Sequence, residues 1–89
     1  MPEVVIYTRQ FCGYCTAAKA LLDRLGVGYV ELDATGRPEL RAEMVTRANG
    51  RNTFPQIFIG GTHVGGCDDL YYLHDRGGLK PLFEKAAAS

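Results

Sequence analysis

The sequence predicts an α/β fold built on a mixed four-stranded sheet with helices on both faces. Three observations lead there. Val4-Val5-Ile6-Tyr7 is a β-branched and aromatic run without polar alternation, the pattern of a central strand covered on both sides. The first third of the chain reads strand, helix, strand, and such a crossover is almost always right-handed and joins parallel strands. Gly60-Gly61 separates two short strand-like runs as a loop that tolerates the positive φ angles of a tight hairpin, which adds an antiparallel pair.

Each element has its own signal. After the first strand, apolar residues recur at helical spacing from Tyr14 through Ala18, Leu21, Leu22 and Leu25, and Gly26 supplies the stop. Gly28 to Leu32 forms a second short strand. Thr35-Gly36-Arg37-Pro38 opens a second helix with proline in its first turn, and Leu40, Met44, Val45 and Ala48 give it an apolar face before Asn49-Gly50. Gln56 to Ile59 and Thr62 to Val64 are the arms of the hairpin. Cys67 to Arg76 carries Leu70 and Leu73 before Gly77-Gly78, and Leu79, Leu82, Phe83 and Ala86 mark a final turn or two of helix. Without repeats, linkers or low-complexity segments, residues 1–89 are expected to form one domain, too small to include a separate cofactor domain.

Bulk properties narrow the function. Ten basic residues balance ten acidic ones, so there is no excess positive field to hold nucleic acid or an anionic membrane. The longest apolar runs fall far below the roughly 20 residues that span a bilayer. Met1-Pro2-Glu3 leads at once into a strand without the regions of a secretory signal, which sets the expectation of a cytoplasmic protein. Three cysteines, two of them three positions apart, suit a local reactive pair better than a stapled extracellular framework.

That pair is Cys12-Gly13-Tyr14-Cys15, directly after the first strand and at the start of the first helix. The first sulfur meets the unpaired amides and the positive end of the helix dipole, which stabilise a thiolate and lower a cysteine pKa from about 8.5. Arg9 adds a permanent cation three residues upstream. Cys15, carried inward by the helix turn, is the less ionised, resolving thiol. Two competing readings are a pair of small core residues and a structural zinc site made of Cys12, Cys15, His63 and Cys67. Cys67 reads as a buried or half-buried small residue without a catalytic role. Arg37, Arg41, Arg47 and Arg51 read as a solvated face, with steering of acidic proteins as the alternative, and His63 and His74 as surface or turn residues.

Three ordered motifs carry a resemblance over essentially the whole chain. Tyr7-Thr8-Arg9-Gln10-Phe11-Cys12-Gly13-Tyr14-Cys15, Thr53-Phe54-Pro55 and Gly65-Gly66-Cys67-Asp68-Asp69 resemble, in this order, the active-site segment, the Thr-Val-Pro and the Gly-Gly with acidic helix start of dithiol glutaredoxins of the bacterial glutaredoxin 3 kind. The resemblance implies a thioredoxin-like fold with strand order 2-1-3-4 and a glutathione-dependent thiol-disulfide oxidoreductase. It implies glutathione as co-substrate, glutathionylated or disulfide-containing proteins as partners, an indirect link to glutathione reductase, a monomer and no metal. It also implies a cis Pro55 that turns the backbone of Phe54, next to Thr53, toward an extended peptide beside Cys12. The γ-glutamyl carboxylate is expected on the amides near Gly66, Cys67 and Asp68, with the Asp68 carboxylate on the ammonium and Asp69 as a helix cap. Arg9 with Arg51 is expected at the glycyl carboxylate, and Tyr14 as the wall of the pocket.

Three departures from the family pattern matter. Gly13 stands where the family commonly has proline, and some relatives lacking that proline are similar to carriers in which two chains share a [2Fe-2S] cluster through the first cysteine and bound glutathione. Cluster binding through Cys12 is therefore the alternative function. Arg9 replaces a lysine, keeping the charge while changing its geometry. Phe54 replaces valine and enlarges the apolar wall near the nucleophile.

Overall fold

The computed structural model describes residues 3–88, with side chains described from 3 to 84. Eight elements follow one another: β1 Val4–Thr8, α1 Gly13–Arg24, β2 Val30–Asp33, α2 Pro38–Arg47, β3 Gln56–Ile59, β4 Thr62–Gly65, α3 Cys67–Asp75 and α4 Leu79–Ala88. The strands form one mixed sheet in the order β2-β1-β3-β4, the thioredoxin-like arrangement. β1 runs parallel to β2 and antiparallel to β3, and β3 and β4 form the hairpin.

Burial explains the apolar run in β1. All five of its residues are buried. Because successive side chains of a strand point to opposite faces, Val4 and Ile6 join Ala18, Leu21 and Leu22 of α1, Leu70 of α3 and Leu79 of α4, while Val5 and Tyr7 join Met44 of α2 with Ala48. β3 repeats the division, with Ile57 and Ile59 on the first side and Phe58 on the second. Each fully buried Leu or Ile contributes roughly 1.5–3 kcal/mol, so the α1/α3 side, which has most of them, carries most of the packing energy.

Three helices end in the same backbone device. Gly26, at φ 70, donates its amide to Asp23, and Val27 donates to Leu22, a Schellman closure of α1. Asn49, at φ 55, and Gly77, at φ 72, occupy the same left-handed position after α2 and α3. These are the stops expected from Gly26, Asn49-Gly50 and Gly77-Gly78.

Several boundaries differ from expectation. β2 starts at Val30 rather than Gly28, because residues that close α1 must first turn the chain before Val30 can pair with Val5. α4 extends over ten residues rather than a turn or two, and Ala86, expected on its apolar face, lies outside the described side chains. His63 is neither a surface nor a turn residue. It lies half-buried in β4, opposite Phe58, with the two rings stacked at 4.9 Å. Arg37, Arg41, Arg47 and Arg51 are all exposed, as expected of a solvated face, while Arg47 also lies 4.5 Å over the Phe58 ring and donates to the Tyr7 hydroxyl at 2.7 Å, and Arg41 lies 5.6 Å over Phe54.

Candidate active site

The site is assembled where β1 gives way to α1. The chain leaves the sheet at Thr8, the Gln10 amide donates to the Thr35 hydroxyl at 2.8 Å, and Phe11 takes a left-handed φ of 56. Cys12 then returns to extended geometry, φ −119 and ψ 100, and caps α1. The Cys15 amide donates to the Cys12 sulfur at 3.1 Å. Caps are ordinarily oxygen-bearing residues. A neutral sulfur accepts weakly, so this geometry rewards the charged form.

The two cysteines are joined in a disulfide, with 5.2 Å between their Cα atoms. Cys12 is half-buried and Cys15 is 2% exposed, so an incoming molecule meets Cys12 first. The Phe54-Pro55 peptide bond is cis, Pro55 is buried, and the Phe54 carbonyl oxygen lies 3.8 Å from the Cys12 sulfur.

From that sulfur side a groove of about 180 Å³ leads to the start of α3. It is lined by Tyr14, by Arg51, Thr53, Phe54 and Pro55, and by Gly66, Cys67, Asp68 and Asp69. Gly65 has φ 117, and a side chain there would collide with the Asp69 carboxylate. At Gly66 a Cβ would come within 3.4 Å of the Pro55 carbonyl. The two bare residues let the hairpin enter α3 while leaving its first amides approachable. Asp69 accepts from the Gly66 amide at 2.8 Å and pairs with Arg51 at 3.1 Å. The Gly66 amide, with help from Arg51, holds its carboxyl below the usual aspartate range despite partial burial. Beneath them Cys67 is buried, and burial together with Asp68 pushes its thiol up, which suits a packing residue.

A sequence model of the glutaredoxin family matches residues 4–64. The chain belongs to the glutaredoxin family. It is 54% identical over 84 residues to glutaredoxin 3 of Escherichia coli strain K12, an alignment covering 94% of this chain and 100% of that one. The solution structure of glutaredoxin from Brucella melitensis superimposes with a TM-score of 0.81 at 63% identity, covering 93% of this chain and 89% of that one. A crystal structure of a buckwheat glutaredoxin-glutathione complex gives a TM-score of 0.84 at 32% identity, over 98% and 81% of the two chains. The family makes the protein a thiol-disulfide oxidoreductase, and its members use glutathione.

In this glutaredoxin the fold brings Tyr14, Arg51, Thr53, Phe54, Pro55, Gly66, Cys67 and Asp68 into one groove with Cys12 at its edge. Arg9 is not among them. It lies in an adjoining hollow with Phe11, Thr35 and Arg41, reaching the Gln10 carbonyl at 3.1 Å, and Phe54 forms the partition between the two. Asp69, expected as a helix cap, is the addition: nothing in the sequence said that the cap would also hold Arg51 in the groove. Phe11, at 97% exposure beside the nucleophile, left no periodic signal either. The zinc grouping does not assemble, because His63 faces the α2 side of the sheet with Phe58 whereas Cys67 packs on the opposite side. Among the described residues no three His, Cys, Asp or Glu side chains are grouped to hold a metal ion, and no helix is long and apolar enough to cross a membrane.

Proposed function

We propose that the chain is a single glutaredoxin domain that reduces protein-glutathione mixed disulfides and protein disulfides in the cytoplasm, with glutathione as reductant. The observation that carries this reading is the Cys12 sulfur, capping a helix 3.1 Å from an amide at the edge of a groove that ends at a second helix start. In the reduced protein the Cys12 thiolate attacks the glutathione-side sulfur of a mixed disulfide. The Cys12-glutathione bond forms, the old disulfide breaks, and the protein leaves as a thiolate that takes up a proton. A second glutathione thiolate attacks the glutathionyl sulfur, releases oxidised glutathione and restores Cys12. For a protein disulfide, the Cys12 thiolate attacks one of its sulfurs, forming an enzyme-substrate mixed disulfide and freeing the other sulfur as a thiolate that takes up a proton; Cys15 then attacks the Cys12 sulfur, releases the substrate's second thiol and leaves the Cys12-Cys15 disulfide, which two glutathione molecules reduce to two thiols and oxidised glutathione.

The groove suits the tripeptide in chemistry. The backbone of Phe54 can pair with the cysteinyl unit. The amides opening α3 suit the γ-glutamyl carboxylate, and the exposed Asp68 suits its ammonium. Arg51 and, from the adjoining hollow, Arg9 offer cations to the glycyl carboxylate. The cluster-sharing alternative rested on Gly13. That position is open, with nothing within 4 Å of where a side chain would begin.

The test is a glutathione-dependent assay on a small mixed disulfide and on a protein disulfide, coupled to glutathione reductase. Cys12→Ser is expected to lose at least about a thousandfold in both, as removal of a nucleophile does. Cys15→Ser is expected to keep the first activity and lose the second. Full activity in Cys12→Ser overturns the assignment.

A further inference from the structure

Gln56 is a polar residue with 0% exposure in the central part of the sheet, where a polar amide is costly unless every atom is bonded. Its NH2 group lies 3.1 Å from both the carbonyl oxygen and the hydroxyl oxygen of Thr53, and its oxygen lies 2.7 Å from His63 Nε2. The Thr53 carbonyl can only accept, which fixes the amide with its NH2 toward Thr53 and its oxygen toward His63. His63 Nε2 must then carry the hydrogen and donate. The His63 ring is itself held, stacked on Phe58 at 4.9 Å with 27° between planes.

We propose that Gln56 and His63 are positioning residues for the glutathione groove. His63 fixes the Gln56 amide, and the amide clamps both oxygens of Thr53. This sets the Thr53-Phe54 backbone at its distance from the Cys12 sulfur. The inference rests on the reading above that Thr53 and Phe54 bind glutathione. Neither residue touches the sulfur, so their contribution belongs to ligand affinity and not to thiolate reactivity. The clamp also occupies one of the two lone pairs of the Thr53 hydroxyl and leaves its O–H to donate to a bound ligand.

His63→Phe keeps the stack on Phe58 and removes the hydrogen bond to Gln56, and Gln56→Met keeps the volume and removes all three hydrogen bonds of the amide. Weakening the clamp in this way predicts a rise in the KM for glutathione of about three- to tenfold, with kcat within about twofold of the parent. Alkylation of Cys12 by iodoacetamide as a function of pH is expected to be unchanged, which a general loss of structure would not allow. Restoring a donor with His63→Asn is expected to recover part of the affinity. A parental KM in both His63→Phe and Gln56→Met overturns the proposal, as does an equal loss in alkylation rate. Amide shifts of the parent protein during glutathione titration separate the two claims. If Thr53 and Phe54 do not shift, the groove assignment fails; if they shift with the same dissociation constant in parent and variants, only the clamp fails. Should either variant not fold, the other and His63→Asn supply the same comparison.

Discussion

The two helix starts that border the groove are capped by opposite means. At α1 the cap is the Cys12 sulfur itself, accepting from Cys15, so the helix field acts on the atom that reacts. At α3 the residue in the capping position is Gly66, which has no side chain, and its amide is taken by Asp69 from three residues on. The difference teaches why one end can change its covalent partner while the other stays fixed. Chemistry at Cys12 exchanges the cap of α1 in every cycle. The cap of α3 is held from behind by Asp69 and Arg51, outside the bonds that are made and broken.

The comparison breaks most severely at Gly65. Gly65→Ala forces a left-handed residue against the Asp69 carboxylate, and we expect a loss of about 2 kcal/mol or more, or about 10 °C in Tm. Glutathione affinity should fall with it, because Asp69 and Arg51 are displaced together. Thermal unfolding with glutathione titration checks both, and an unchanged Tm would show that the α3 cap is not rigid.

Asp68 and Asp69 sharpen the contrast, since adjacent carboxylates are assigned different tasks. Asp68→Ala is expected to raise the KM for glutathione about five- to tenfold through loss of a charge-assisted contact, with a stability change below about 1 kcal/mol. Steady-state kinetics at varied glutathione measures the first. A change confined to stability would reassign Asp68 as a second cap.

Asp69→Asn has the smallest expected effect. Its folded-state carboxyl is held below the usual aspartate value, chiefly by the Gly66 amide, so the charged form contributes stability above the unfolded pKa near 3.9. That advantage over Asn is therefore complete at neutral pH and shrinks as pH falls below about 4 toward the lowered folded value. Because the ion pair is nearly half exposed, the gap should stay under about 1 kcal/mol. Denaturant unfolding of both proteins between neutral and acid pH checks the sign.

Much of this was legible in the sequence because it was local. The β-branched run of β1, the glycine stops, the Gly60-Gly61 loop and the CxxC at a strand-to-helix junction each occupy a few consecutive residues. The groove residues were reachable through ordered motifs. What escaped depends on pairings across the sheet. His63 looks like an exposed hairpin residue until Phe58 is set opposite it, and Gln56 looks like an ordinary strand polar residue until Thr53 folds back over it. Arg9 is near Cys12 in sequence, yet the left-handed turn at Phe11 separates its side chain from the groove. Arg47 is the exposed charge it reads as, and only the packing of α2 on the sheet shows that its guanidinium also lies over the Tyr7 and Phe58 rings.

The central claim is that the start of α1 stabilises negative charge on Cys12, and the direct measurement is a pH titration of the reduced protein's thiolate absorbance near 240 nm. Cys15→Ser, titrated alongside, isolates the first sulfur. A midpoint below about 7 is the expected result. A midpoint near the free-cysteine value of about 8.5 would contradict the account.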